Sequence, residues 1–203
     1  LANRVVMAPM TRARARNDIP DEHTVLYYAQ RAGAGLIISE GVPVSREGCG
    51  YLFNPGLYTA EQTQAWRKVT QAVHDKGGLI VAQLWHMGRA VHSAVTGEQP
   101  VSSSATATPG DAHTYEGKKP YEVARPLAID EIPGIIADYA QATRNALAAG
   151  FDAAAVRLTG NVVGQAPFTG TLGHRGWRAT ETRLPPLGQG HEASVLAQAE
   201  VEL

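Results

Sequence analysis

Gln83, Trp85, His86 and Arg89 crowd the end of an apolar run, Leu79-Ile80-Val81-Ala82. An amide, an indole, an imidazole and a guanidinium at the finish of such a run are what a buried parallel strand delivers to a ligand at its carboxyl end. With side chains alternating, Leu79, Val81, Gln83 and Trp85 share one face, so the first polar group on that face is followed by a large flat ring. The pairing suits a planar ligand that forms hydrogen bonds at its edge. A strand end whose Gln and Trp are satisfied locally is the plainer alternative, and this stretch alone does not separate the two. Thr11, just past Pro9, and Gly41, just past Glu40, stand at comparable places after two other apolar runs.

The elements that must hold these residues alternate along the chain. Asn3 to Thr11 reads as a short buried strand that Pro9 closes, because proline cannot donate to a ladder. Glu22 to Ala32 carries Val25, Leu26, Ala29 and Ala32 at helical spacing, and Gly33 and Gly35 stop it. Ala34 to Gly41 is a second buried strand, followed by a Gly- and Pro-rich loop from Val42 to Tyr58. Thr59-Ala60-Glu61-Gln62 is a capping box for a helix with Trp66, Val69, Ala72 and Val73 on one face, which stops at Lys76-Gly77-Gly78. The strand at Leu79 follows. His92 to Pro126 is a long segment rich in Ser, Thr, Gly and Pro, of the kind that is functional or carries a small hairpin. Asp130 is an expected N-cap for a helix with Ile132, Ile136, Tyr139, Thr143, Ala146 and Leu147 at a period near 3.6, ending at Gly150. Phe151 to Val156 is a fourth strand.

Strand and helix in alternation argue for right-handed crossovers and a parallel sheet. The long loops leave from carboxyl ends while the returns from helix to strand are tight, which marks the ligand face of an α/β fold. The expected class is a (β/α)₈ TIM barrel, and the four strands up to Val156 make about half of one. Residues 1–156 are therefore taken as the amino-terminal half of a barrel. Residues 157–203 are a divergent tail rich in Gly, Pro and Arg, without isoleucine, tyrosine, lysine or aspartate. A lost reading frame or a flexible extension would each produce such a tail, and only Glu192 to Leu203 has the pattern of a short helix. The chain opens on Leu1, almost inside a strand, so a fragment is the expectation.

Composition narrows the function. A net charge of −1 over 203 residues, with no run of like charge, gives no argument for nucleic acid or an anionic membrane surface. No stretch approaches the ~20 apolar residues of a membrane span. The single cysteine, Cys49, excludes an internal disulfide framework and any multi-thiolate metal site, and fits a reducing cytoplasm. No metal is expected.

From Asn3 to Asp152 the chain resembles the amino-terminal half of the old yellow enzymes, the FMN-dependent ene reductases. The resemblance rests on several motifs in order: Asn3-Arg4-Val5-Val6-Met7-Ala8-Pro9-Met10-Thr11-Arg12, Tyr27-Tyr28-Ala29-Gln30-Arg31-Ala32, Leu36-Ile37-Ile38-Ser39-Glu40-Gly41, Pro55-Gly56-Leu57-Tyr58, Gln83-Leu84-Trp85-His86-Met87-Gly88-Arg89, Gly117-Lys118-Lys119-Pro120 and Arg144-Asn145-Ala146. It implies an FMN isoalloxazine across the carboxyl end of the barrel, reduced by NADPH or NADH, which passes hydride to an activated alkene. Carried over by position, Pro9, Met10 and Thr11 line the flavin edge, with the Thr11 hydroxyl tuning the hydride-bearing region. Gly41 lets backbone approach the ring, Gln83 bonds the pyrimidine portion, and Tyr51 and Trp85 shape the substrate pocket. His86 and Arg89 are expected to stabilise their loop, and Cys49 to be an incidental thiol.

The departures lie after Asp152. The family continues there with a His-x-x-Asn or His-x-x-His pair that grips the substrate carbonyl, and then a tyrosine that supplies the proton. Counted without gaps, those positions hold Arg157, Gly160 and Val162, with Asn161 one place out of register. Arg157 has the chemistry to polarise a carbonyl, but Val162 cannot donate a proton. Two expectations follow. One is an FMN-dependent oxidoreductase; the other is an inactive remnant or association module that binds flavin weakly or not at all and self-associates through an unclosed barrel.

Overall fold

The structure, a computed structural model, describes residues 1–158 together with the short strands Thr171–Leu172, Trp177–Arg178 and Glu200–Val201. In order, the elements are β1 (Val6–Met7), α1 (Glu22–Ala29), β2 (Leu36–Pro43), α2 (Ala60–His74), β3 (Ile80–His86), α3 (Ser93–Thr96), β4 (Val101–Ser102), β5 (Asp111–Thr114), β6 (Gly117–Pro120), β7 (Arg125–Pro126), α4 (Ile132–Ala148) and β8 (Ala153–Leu158). β1, β2, β3 and β8 lie side by side and parallel, and Thr171–Leu172 pairs antiparallel with β8. This is the βαβ arrangement of the barrel class expected from the sequence.

Alternation decides which face is which. Ile80, Ala82 and Leu84 of β3, with Ala154 and Val156 of β8, share one core with Trp66, Val69 and Val73 of α2 and with Tyr139, Ala142 and Ala146 of α4. Each fully buried large side chain there stabilises the fold by ~1.5–3 kcal/mol. Val81, Gln83 and Trp85 therefore occupy the opposite face, away from the helices. In β8, Ala155 and Arg157 are register partners of Gln83 and Trp85 and share that second face.

The capping box of α2 is present as expected. The Thr59 hydroxyl accepts from the Gln62 N–H at 3.1 Å, and the Gln62 side-chain oxygen accepts from the Thr59 N–H at 3.1 Å and the Tyr58 N–H at 2.9 Å. α1 has a second box, in which Asp21 accepts from the backbone of His23 and Thr24, and its helix stops at Ala29 rather than Ala32. The long segment after β3 carries the small hairpin, β5 against β6 closed through Gly117, and a parallel contact of β4 with β7.

Several expectations are corrected. β1 is not buried: Val5 is 65% exposed and Val6 46%, because among the described residues β1 has no strand on its outer side. Asp130 does not cap α4. Instead a 3₁₀ turn, Ile129–Glu131, precedes the helix, and the Glu131 carboxylate accepts from the Ala128 N–H at 2.7 Å while Arg125 grips both its oxygens. The buried stripe of α4 is Ile135, Tyr139, Ala142, Thr143 and Ala146, leaving Ile136 and Leu147 outside. Tyr139, Thr143 and Ala146 are buried as expected, while Ile135 and Ala142 take the buried places read for Ile136 and Leu147. The fourth strand extends past Val156 to Leu158, so Arg157 belongs to the sheet. The helical reading of Glu192–Leu203 falls outside the described residues except at Glu200–Val201, which are strand, paired with Trp177–Arg178. Gly160, Asn161 and Val162 also lie outside the described residues.

Candidate active site

The site is built where the parallel strands end. β2 is irregular between Ile38 and Gly41. There the Ser39 hydroxyl donates to the Glu40 carbonyl at 2.8 Å and accepts the Gln83 N–H at 3.0 Å, in place of a regular ladder bond. The bulge sets the end of β2 so that Gly41 pairs with Gln83 and Pro43 with Trp85.

A Cβ at Gly41 would lie 2.5 Å from the Trp85 ring, so the indole lies against the bare backbone of β2. The Gly41 carbonyl accepts from the Asn54 side chain at 3.0 Å. Glycine at 41 is thus required first by Trp85. The same ring meets Tyr51 with centroids 6.0 Å apart and planes tilted by 34°, so the two residues expected to share a pocket do come together. The Arg157 guanidinium stands 5.4 Å from the Trp85 centroid.

Gln83 is 7% exposed, yet its carboxamide forms no hydrogen bond among the described residues; the buried Trp85 indole N–H has no partner either. Leaving the buried Trp85 N–H unpaired costs ~1–3 kcal/mol, and the Gln83 carboxamide beside it keeps its donors and acceptor free for a ligand. Thr11, half-buried, follows the end of β1 by four residues, while Gly41 lies inside β2, four residues past Ile37, the register partner of Met7. The Arg12 N–H donates to the Glu40 carboxylate at 2.9 Å and ties this loop to the end of β2. Pro9 and Met10 are exposed.

Glu40 was not singled out by sequence reasoning. Burial pushes its carboxyl up, opposed by the Arg12 and Ala13 N–H groups and by the Tyr28 hydroxyl. The signal was available: an acidic residue ending an apolar strand is out of place unless bonded. Also missed was the Arg46 clamp. Its guanidinium donates to Asp18 at 2.7 Å and to the Val95 carbonyl, joining the loops after β1, β2 and β3. His86 stands 3.5 Å from Glu47, and Arg89 donates to the Thr106 hydroxyl at 2.7 Å, so both contact residues of the neighbouring loops. Burial, aided by Asp18, pushes the Cys49 thiol up to about 12, which leaves it unreactive.

A cavity of about 160 Å³ lies elsewhere, between Arg12, Arg14, His23, Tyr27 and Glu40. Gln83, Trp85 and Tyr51 do not line it. The reason is geometric: the described residues supply one wall at the strand ends, and one wall encloses no volume. No cluster of metal-ligating side chains occurs among the described residues.

Toward the carboxyl ends of its parallel strands this α/β sheet gathers an unpartnered amide and an aromatic wall on the face away from the helices. The chain belongs to the NADH:flavin oxidoreductase / NADH oxidase family, whose model matches residues 1–159; a model for a domain of unknown function matches residues 129–202. The old yellow enzyme homologue from Zymomonas mobilis has 57% identity and a TM-score of 0.75, over 76% of this chain and 44% of its own. Morphinone reductase in complex with tetrahydroNAD has 43% identity and a TM-score of 0.75, over 79% and 47%. The 12-oxophytodienoate reductase 7 of Oryza sativa subsp. japonica is 48% identical over 163 residues, 75% of this chain and 40% of the relative. The flavin oxidoreductase hxnT of Emericella nidulans is 43% identical over 162 residues, 75% and 41%. The chain thus spans about two fifths of the length of these curated relatives.

Proposed function

We propose that this chain carries one wall of an FMN-dependent ene-reductase site, in which hydride from NADPH or NADH reaches the C=C bond of an activated alkene by way of FMN. The observation that carries the reading is the carboxamide of Gln83, a residue only 7% exposed whose side chain forms no hydrogen bond among the described residues, on the helix-free face of the sheet. It offers one donor and one acceptor side by side, the complement of the pyrimidine edge of an isoalloxazine. Pro9 and Met10 line the ring's edge, Thr11 donates its hydroxyl to a ring acceptor, and Gly41 keeps the backbone of β2 low beneath Trp85. Bound there, FMN would supply two-electron hydride storage. Tyr51 and Trp85 exclude water and hold a flat substrate by stacking. Arg157 orients an oxygen of that substrate and, as a permanent cation, does not deliver a proton. The lone, buried Cys49 suits a cytoplasmic location, and no helix among the described residues is long and apolar enough to cross a membrane.

FMN titrated into the chain should lose its fluorescence on binding, and Gln83→Ala should weaken binding by about tenfold, the value of an amide contact to a desolvated ring. NADPH added without oxygen should bleach the bound flavin, and cyclohexenone should restore its colour. A second reading is favoured by the exposed apolar edge at Val5, Val6 and Met10. It makes the chain an inactive, self-associating remnant. Unquenched FMN beside a concentration-dependent sedimentation coefficient would select that reading over the first.

A further inference from the structure

We propose that Arg157 makes this site selective for a planar unsaturated carboxylate, a 2-enoate, over neutral carbonyl compounds of the same shape. The inference rests on the ligand face described above and concerns what occupies it next to Trp85. Three observations carry it. Arg157 pairs in register with Trp85, so its side chain stands on the same helix-free face as Gln83. Its guanidinium makes no ion pair and no hydrogen bond among the described residues, and its one described interaction is with the Trp85 ring, 5.4 Å away. Its backbone is held in place: the Tyr139 hydroxyl, at the end of a buried ring, donates to the Arg157 carbonyl at 3.2 Å.

These features decide the ligand's charge and shape together. A guanidinium presents a planar fork that matches the two oxygens of a carboxylate, and it cannot shed its charge. A neutral carbonyl would use one arm of that fork and leave the other solvated. The aromatic pair Tyr51 and Trp85 lies beside the fork, so a ligand whose carboxylate meets Arg157 runs its conjugated portion along the indole. Ala155, the register partner of Gln83, leaves the intervening floor low, where a larger side chain would block a flat molecule. No acidic side chain pairs with Arg157 among the described residues, so nothing there neutralises the charge before the ligand arrives.

The test uses a matched pair, cinnamate and cinnamamide, which differ in charge and hardly in shape. Both are titrated calorimetrically into the whole chain, with and without saturating FMN. Cinnamate should bind about tenfold or more tightly than the amide, as a charge-assisted bidentate contact requires. Arg157→Gln should abolish the difference, and Arg157→Lys should keep part of it and make it more sensitive to salt. Equal affinities, binding of neither compound, or a preference that survives Arg157→Gln would overturn the proposal. The flavin reading fails separately, through unquenched FMN fluorescence, a signal that Arg157→Gln should leave unchanged.

Discussion

Glycine at position 41 shows how one missing methyl organises the site. Its hydrogen faces the Trp85 indole at a distance where a Cβ would overlap the ring by an ångström or so. Gly41→Ala should therefore push the indole off β2, lower stability by ~1–3 kcal/mol through overpacking, and separate Trp85 from Tyr51. Urea unfolding reads the first effect and near-ultraviolet circular dichroism the second. Cys49 makes the opposite kind of statement. Because burial holds its thiol near 12, a thiol reagent should label native chain far more slowly than urea-unfolded chain. Glu40 adds a pH dependence: its folded pKa is raised above the unfolded value by burial. Its contribution is thus fully present below the ordinary carboxylate range and is lost as pH rises through the folded value. Glu40→Gln should flatten that part of the stability profile, measured by urea midpoints at a series of pH values.

At the scale of elements, the start of α4 shows why a cap has to be read with its surroundings. Asp130 has the right residue type, but Glu131 is the one that Arg125 and the Ala128 N–H both reach. They hold its carboxyl down to about 2. A depressed carboxylate stabilises above its unfolded pKa, and the effect is lost as pH falls toward about 2. Arg125→Ala should remove that acid-side loss, with helix content followed by far-ultraviolet circular dichroism between pH 5 and 2. The pair is exposed, so the effect should shrink at high salt. β2 teaches a related lesson. Its apolar letters announce a strand, but the bulge at Ser39 that aligns Gly41 with Gln83 depends on a hydroxyl reaching across to β3.

For the described residues as a whole, the sheet has two unlike faces and a bare edge at β1. The helix-covered face holds the core; the other presents Gln83, Trp85 and Arg157. At β1 the unpaired backbone and the exposed Val5, Val6 and Met10 are what a sheet edge offers to another chain. A lysine there should repel such pairing, so Val6→Lys should shift a self-associating chain toward monomer in sedimentation velocity. An unchanged profile would place any association elsewhere.

Much of this was legible in the order of residues because periodicity and punctuation act locally. The Thr59 box and the alternation in β3 follow from neighbours within a few positions, whereas the strand read as Ala34–Gly41 runs from Leu36 to Pro43. The family could be read from motifs in sequence order for the same reason. Tertiary structure alone decided the rest. It left β1 at an edge, because burial depends on what lies beside a strand. It kept Tyr139, Thr143 and Ala146 of α4 inside but left Ile136 and Leu147 outside in favour of Ile135 and Ala142, because what packs against a helix decides the edges of its buried stripe. It also carried β8 through Arg157 and set that cation against Trp85 across more than seventy residues of chain. Register between distant strands is not encoded in any short stretch; it is fixed only when the core on one face closes and dictates what the other face must show.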